Sequence, residues 1–386
     1  MKRKKIATLF VGFALVALIA VGLILLGGEK RIAVPENFSV KSGILEHDEV
    51  WSGEVLITDT VEVPQGVTLT IEPGTVVRFK HWRHGYAEPE GRVGLIVDGT
   101  LKAIGTPDQP IWFTSDATDP MNGDWEGIHF HNASDASIIK YAIVEFANHS
   151  NISMWNSSPT ISHVISRWNN SEGIYLESHC SPVIEYCMIY QNGFNGIAME
   201  QFNENVCIQH NYIAYNGSSG IHHMASSSTI RNNVIVGNQN GISFMDNSFA
   251  LVEHNLIRDS RGAAIWSETG GSSAVIRLNT IENNPCALGG FEFSPFVLEF
   301  NNLLSSGDAE IALEEEATGT VVVENNWWGT TDAQEISERI AAGGASVSFS
   351  AFLEKPAVEA PQLLSLIHIS EPTRPRLISY AVFCLK

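Results

Sequence analysis

A Gly-Ile pair or its equivalent returns at a nearly constant offset through the middle of this chain, and that offset limits the possible folds more than any other property of the sequence. It occurs at Gly127-Ile128, Asn151-Ile152, Gly173-Ile174, Gly196-Ile197, Gly220-Ile221, Gly241-Ile242 and Ala264-Ile265, in steps of 21 to 24 residues. A second series runs beside it, from Ile208-x-x-Asn211-x-Ile213 through Asn233, Asn255, Asn279 and Asn301 to Val323-x-x-Asn326-x-Trp328, in steps of 22 to 25. Each unit holds two or three short alternating strands broken by Asn, Gly and Ser, residues that tolerate tight-turn backbone angles. A hairpin meander would place like positions at mirror-related intervals. A constant offset instead stacks each residue on its own equivalent about 4.8 Å away, which predicts a parallel solenoid. Stacked Ile, Val and Leu then fill the bore, and Asn at one corner bonds the Asn above, satisfying turn backbone that would otherwise be buried unpaired. Cys187 occupies this corner in the rung before Asn211 and is expected to break the ladder.

Charge divides the 386 residues into unlike pieces. Residues 1–31 hold six basic residues and one acid, and residues 364–386 hold three and one, leaving 14 basic against 41 acidic residues between them. Nucleic-acid affinity rests on Lys and Arg displacing counterions, so a body this acidic is not expected to bind nucleic acid. With 44% apolar and only 17% charged residues the chain has ample material for a core and is not a disordered polymer. At the start, Lys2, Arg3, Lys4 and Lys5 precede an unbroken apolar stretch from Ile6 to Leu26. Its length reaches the roughly 20 residues that a helix needs to cross a bilayer. No small-x-small cleavage site follows, and the basic cluster sets the cytoplasmic side. Residues 1–31 are therefore expected to be a single-pass signal anchor with the body outside, the alternative being a cleaved signal and a secreted body.

The other terminus carries a resemblance of a different kind. Leu364–Arg374, and after a three-residue gap Ile378–Lys386, read as the codon-by-codon translation of a sequencing-library adaptor of the transposase type. Residues 364–386 are accordingly left out of fold reasoning as one would a fusion scar, and residues 356–363 are expected to be a linker.

The body, residues 32–355, resembles the right-handed parallel β-helix repeat proteins of the pectin-lyase-like fold. Trp51-Ser52-Gly53, the segments Val61–Phe79 and Leu95–Thr106, and Pro110–Asp116 resemble the N-terminal rungs of bacterial and archaeal surface members of that group. The stretch Asn325–Ile340 resembles their end, with Asp332 capping a short helix, Glu335 reaching back, and a polar lid over the last rung. The expectation is an all-β, single-stranded right-handed parallel β-helix of about twelve rungs, with an N-terminal transmembrane helix and a short C-terminal capping helix. The resemblance implies a fold shared by pectate lyases, polygalacturonases, alginate epimerases, tailspike glycosidases and many members with no known activity, so it does not fix the function. The polygalacturonase strings Asn-Thr-Asp and Gly-His-Gly and the epimerase string Asp-Pro-His-Asp do not occur here.

Aligning rungs after the Gly-Ile pair points Ile174 and Leu176 inward and Tyr175 and Glu177 outward. One outward column then reads His129, Ser153, Tyr175, Ala198, His222, Ser243 and Trp266, with Glu177, Glu200 and Glu268 in or near the column two residues on. Glu177 and Glu200 lie one rung apart, so their carboxylates are expected to meet. That spacing shifts one pKa or recruits a cation such as calcium, and it falls near the roughly 5 Å of a retaining glycosidase pair. The candidate catalytic residues are thus Glu177 and Glu200, and the candidate substrate-binding residues are Tyr175, His222, Trp266 and His129. The competing reading is a solvated face of a very acidic protein. His222-His223, His129/His131 and His81/His84 are pairs that thirteen histidines produce by chance, so no metal site is assigned, and His223 is expected to be an inward, hydrogen-bonded core residue. Cys180, Cys187, Cys207 and Cys286 are too irregular for a disulfide framework. The function read from these residues is a membrane-anchored, extracytoplasmic rod that binds a polysaccharide or cell-surface glycan or acts as a surface scaffold. The alternative is a polysaccharide lyase or glycosidase on an outer-face groove.

Overall fold

The computed structural model describes residues 38–82, 91–349 and 351–361. The apolar N-terminal stretch and the adaptor-like tail lie outside the described residues; among those described, no helix is long and apolar enough to cross a membrane. The strands pair in parallel, each with the equivalent strand one turn on, giving a right-handed parallel solenoid of about thirteen turns. The terminal turns include Ser39–Ile44 and Glu49–Trp51 at one end and Ile340–Ala341 and Ser346–Ser348 at the other.

Three parallel sheets run the length of the solenoid. The first includes Ile128–His131, Ile152–Trp155, Ile174–Ser178, Ile197–Glu200, Ile221–Met224, Ile242–Met245 and Ala263–Ser267. Val206–Gln209, Ser227–Arg231 and Phe249–Glu253 belong to the second. Tyr212–Ala214, Val234–Val236 and Leu256–Arg258 belong to the third. Because strand side chains alternate faces, register fixes which columns are buried. In the second sheet Ile208, Ile230, Val252 and Ile276 stand in register and are fully buried. Near the N-terminal end Phe79 and Trp125 widen this filling with rings stacked 3.8 Å apart.

Each bend leaves buried backbone that the sheets do not pair, and side chains stacked one per rung satisfy it. Between the second and third sheets, Asn211, Asn233, Asn255, Asn279, Asn301 and Asn326 form a continuous ladder, each Nδ2 donating to the Oδ1 of the next at 2.9–3.0 Å. Every Oδ1 also accepts a backbone N–H from the preceding rung, as Asn255 does from Asn233 at 2.9 Å. Cys187 ends the amide column as expected: its backbone N–H still donates to Asn211 Oδ1 at 2.9 Å, but its thiol turns to the carbonyls of Ile161 and Glu185. Just before the corner, His210, Asn232, His254, Leu278 and Phe300 all sit at φ 54–56°. Left-handed backbone costs a non-glycine residue on the order of 1 kcal/mol or more, and the amide bonds that follow offset it.

Two further corner columns exist that the repeat pattern did not disclose. Asn192, Asn216 and Asn238 line the bend from third to first sheet through bonds of 3.0 Å. Asn203, Ser226, Ser248 and Ser272 line the bend from first to second. At the C-terminal end the expected helix is Ala333–Glu338, with Asp332 Oδ1 accepting from Gln334 N and Glu335 N at 2.9 and 3.2 Å. Glu335 reaches back to the Thr330 hydroxyl, which in turn accepts from Asp332 N. Arg339 ties this cap down by donating to Trp328 O and to the buried Glu310 carboxylate, each within 2.7 Å. The described part of the segment expected as a linker runs back over the third sheet. There Ala357 N donates to Asn302 Oδ1 at 2.8 Å, and Thr280 Oγ1 donates to Pro361 O at 2.7 Å.

The ladder gives a direct stability test. Asn255→Ala leaves the carbonyls of Ile230 and Glu253 without their donor and the amides of Asn233 without their acceptor. At about 1–3 kcal/mol for each buried group left unpaired, the loss is expected to exceed about 3 kcal/mol. A clear fall in the thermal midpoint followed by circular dichroism would register it, and an unchanged midpoint would contradict the ladder's role.

Candidate functional site

The first sheet's outward column has the register read from the sequence. Backbone pairing places Ser153 beside both His129 and Tyr175, then Tyr175 beside Ala198, Ala198 beside His222, His222 beside Ser243 and Ser243 beside Trp266. The inward neighbours Ile174, Leu176, Ile197 and Met199 are buried, so the outward side chains are held on a rigid wall.

Within this column the residues form local pairs. His129 Nδ1 meets Ser153 Oγ at 2.5 Å, and His222 Nδ1 meets Ser243 Oγ at 2.8 Å. Tyr175 Oη donates to Glu200 Oε2 at 2.9 Å, so Glu200's partner is the phenol one rung below. Glu177 is exposed at an irregularity in the strand, where register jumps from Met154 opposite Leu176 to Trp155 opposite Ser178. That irregularity faces Trp155; on the other side Leu176 stays opposite Met199, so Glu177 keeps its outward place one rung from Glu200. Trp266 spreads over the next rung: a Cβ on Gly289, its register partner, would lie 3.0 Å from the indole, and Phe291 packs edge-on with ring centroids 5.7 Å apart. Glycine at 289 is thus what lets the ring lie down.

The electrostatics of the strip are acidic. Burial pushes the Tyr175 phenol above its ordinary pKa, reinforced by the bond to Glu200 and the charges of Glu177 and Glu172. Burial holds His222 below the usual imidazole value although Glu200, Glu268, Glu172 and Asp246 all pull the other way. The phenol is therefore a donor and the imidazole neutral near pH 7. Glu172 and Asp246 belong to this field and were not among the residues chosen from sequence. Glu172 had a visible signal, since it precedes Gly173-Ile174 just as Glu126 precedes Gly127-Ile128. Among the described residues, no group of three or more His, Cys, Asp or Glu converges to hold a metal ion.

Adjacent histidines take opposite roles. His222 faces outward, whereas His223 is fully buried, bonded through Nε2 to Ser228 Oγ at 2.6 Å and stacked on Phe244 with ring centroids 4.9 Å apart. These two cannot grip one ion together. The turns that leave the first sheet are short in its central rungs, from two to six residues, so no long loop walls the strip there.

Residues 44–150 match a family described as pectate-lyase like beta helix domain, and residues 150–325 match one described as right handed beta helix region. With the parallel solenoid above, these matches identify the chain as a pectate-lyase-like β-helix repeat protein. Comparison with curated proteins finds no match. Among solved structures, the A-module of the Azotobacter vinelandii mannuronan C-5 epimerase AlgE4 is 12% identical, with 82% of this chain and 91% of that chain covered and a TM-score of 0.40. The periplasmic alginate epimerase AlgG is 12% identical over 78% of each chain, with a TM-score of 0.36. The Dettilon tailspike protein is 13% identical, covering 81% of this chain and 62% of that one, with a TM-score of 0.40.

Two histidines make the fold acid-sensitive. Burial lowers His223 to about 3 and His129 to about 4, against an ordinary value of 6.5. Because the folded pKa lies below the unfolded one, stability is complete above about pH 6.5 and is lost as pH falls toward 3–4. The slope contributed is about 1.4 kcal/mol per pH unit for each group. Denaturation midpoints between pH 4.5 and 7.5 are expected to fall on acidification, and His223→Phe, whose ring can stack on Phe244, is expected to flatten that dependence.

Proposed function

We propose that the first sheet's outer strip binds a polysaccharide, in a rod held at the outer face of a membrane by the apolar N-terminal stretch, with the body serving as a glycan-binding or scaffold module. The observation that carries this reading is the register-locked column Tyr175–Ala198–His222–Ser243–Trp266, which sets an aromatic donor, a methyl group, an imidazole, a hydroxyl and an indole on five successive rungs. Rungs repeat about every 4.8 Å, close to the length of one sugar unit in an extended chain, so a glycan lying along the axis meets a fresh side chain per residue. Between the Tyr175 and His222 platforms Ala198 is fully covered. Aromatic faces take the apolar side of a pyranose while Glu200 accepts from its hydroxyls.

The enzyme reading, with Glu177 and Glu200 as catalytic carboxylates and calcium as a cofactor, is supported by less. Ligand sites that perform chemistry are concave, whereas this strip is flanked by short turns, and Glu200 is engaged by the Tyr175 phenol.

Incubation of the protein with neutral and uronic-acid polysaccharides, with and without calcium, separates the two readings. The expected outcome is retention of at least one polysaccharide with no new reducing ends or unsaturated products, and a tenfold or greater weakening on Trp266→Ala, the loss of about 1.4 kcal/mol or more. Turnover abolished by Glu200→Gln would replace the binding reading with the enzymatic one.

A further inference from the structure

The second sheet's outer face carries an apolar stripe that is separate from the first sheet's strip. Eight register steps lead one outward column from Ile138 to Val322, and every member is apolar or threonine. Their inward neighbours, among them Ile139, Ile184 and Ile230, are fully buried, so the column stands on a rigid wall. Val183 is 36% exposed and the other members are half-buried. Phe249, two residues before Leu251 on the same face, adds an exposed ring beside the stripe. Exposed Lys102 precedes the column and exposed Ser348 follows it, which gives the stripe two ends. Single apolar residues on a surface need no explanation, but an unbroken row of them calls for a partner. At about 4.8 Å per rung the row is about 38 Å long, and on strands of about five residues it spans a face of roughly 650 Å², near the roughly 800 Å² that each partner of a stable protein pair buries.

The charges beside the stripe say which partner fits. Two residues further along each strand a second outward column runs in the same register, from Lys140 through Glu185 and Arg231 to Arg277 and Glu324. A twofold axis through Thr229, lying along the strand direction, turns the stripe end for end and lays it on itself. Ile138 then lies over Val322, Thr160 over Val297, Val183 over Val275 and Cys207 over Leu251. The same rotation sets Lys140 over Glu324 and Glu185 over Arg277, while Ser162 meets Glu299 and Gln209 meets Glu253. Arg231 faces its own copy, and there its Nε already donates to Gln209 Oε1 at 2.9 Å. Rods packed in parallel would instead bring this column against the opposite flank, where Ser227, Phe249 and Ser273 stand in register and no charge answers it.

We propose that this face binds a second copy of the chain, the two rods packing antiparallel through their second sheets about a twofold axis at Thr229. Such a contact is self-complementary, as a closed dimer requires. Stacked sheets lie about 10 Å apart, a gap that the facing Val, Leu and Ile side chains fill. The protein's net charge of -20 opposes association only at long range, because at physiological salt fields decay over about 8 Å, whereas the facing charges meet directly. The first sheet's strip lies outside this contact, so neither reading rests on the other.

The test is sedimentation velocity on the whole protein at physiological salt, at concentrations up to about 100 μM, with circular dichroism to check that each variant keeps its fold. A reversible dimer is expected. Leu251→Lys and Val275→Lys, which bury an unpaired ammonium in the contact, are each expected to weaken it about tenfold or more. Lys140→Glu and Glu324→Lys alone are each expected to weaken self-association, since like charges then face one another. Mixing those two variants is expected to restore the dimer, because each changed charge then faces its opposite on the other chain. A monomer throughout the concentration range, a dimer indifferent to both Leu251→Lys and Val275→Lys, or folded charge variants that fail to associate when mixed would overturn the proposal. A dimer equally strong in the two separate charge variants would overturn the antiparallel register and with it the proposal.

Discussion

The solenoid depends on hydrogen bonds made with the same residue type one turn away. Backbone pairing between rungs builds the sheets, but sheets alone cannot turn corners without stranding buried amides and carbonyls. The Asn column from Asn211 to Asn326 solves this by giving every corner amide both a donor role and an acceptor role. Each residue in such a column is stabilised by its neighbours on both sides, so the corner is cooperative along the axis, as nearest-neighbour coupling in repeat proteins requires. Where one member is missing, as at Cys187, the backbone bond persists and the side-chain bond does not.

The same one-rung offset that fixes the core leaves the outside free to vary. Inward positions along the first sheet repeat as Ile152, Ile174, Ile197, Ile221 and Ile242, whereas the outward column changes chemistry at every step. Strand alternation separates the two sets, although Ala198 and Ser243 of the outward column are themselves covered by their neighbours. Tyr175, Ala198 and His222 are neighbours by register although more than twenty residues separate each from the next. The outer surface is thus an ordered row of contacts spaced at rung intervals, a geometry suited to polymers with a regular repeat.

Much of this was legible because constant offset is a global signal that needs no side-chain detail. The parallel stacking, the Asn corner, the buried His223 and the capping helix at Ala333 all follow from period and residue type. What escaped the sequence depends on local departures from the average rung. The irregularity between the strands of Trp155 and Ser178 adds one residue at Glu177, a local departure that the repeat period does not show. The corner lined by Ser226, Ser248 and Ser272 was hidden because serine is common in every turn of this chain, so its column has no contrast. The return of residues 351–361 over the third sheet lies beyond the last repeat, where periodicity has nothing to say.

Acidic and basic groups are also distributed by geometry. Along the strip, Glu172, Glu200, Glu268 and Asp246 act on His222 together, yet burial still keeps the imidazole below its ordinary value. Desolvation outweighs four carboxylates because the ring lies close to the sheet while the acids are partly screened by water. Such a surface offers neutral donors and carboxylate acceptors together and is matched to hydroxyl-rich chains more than to polyanions.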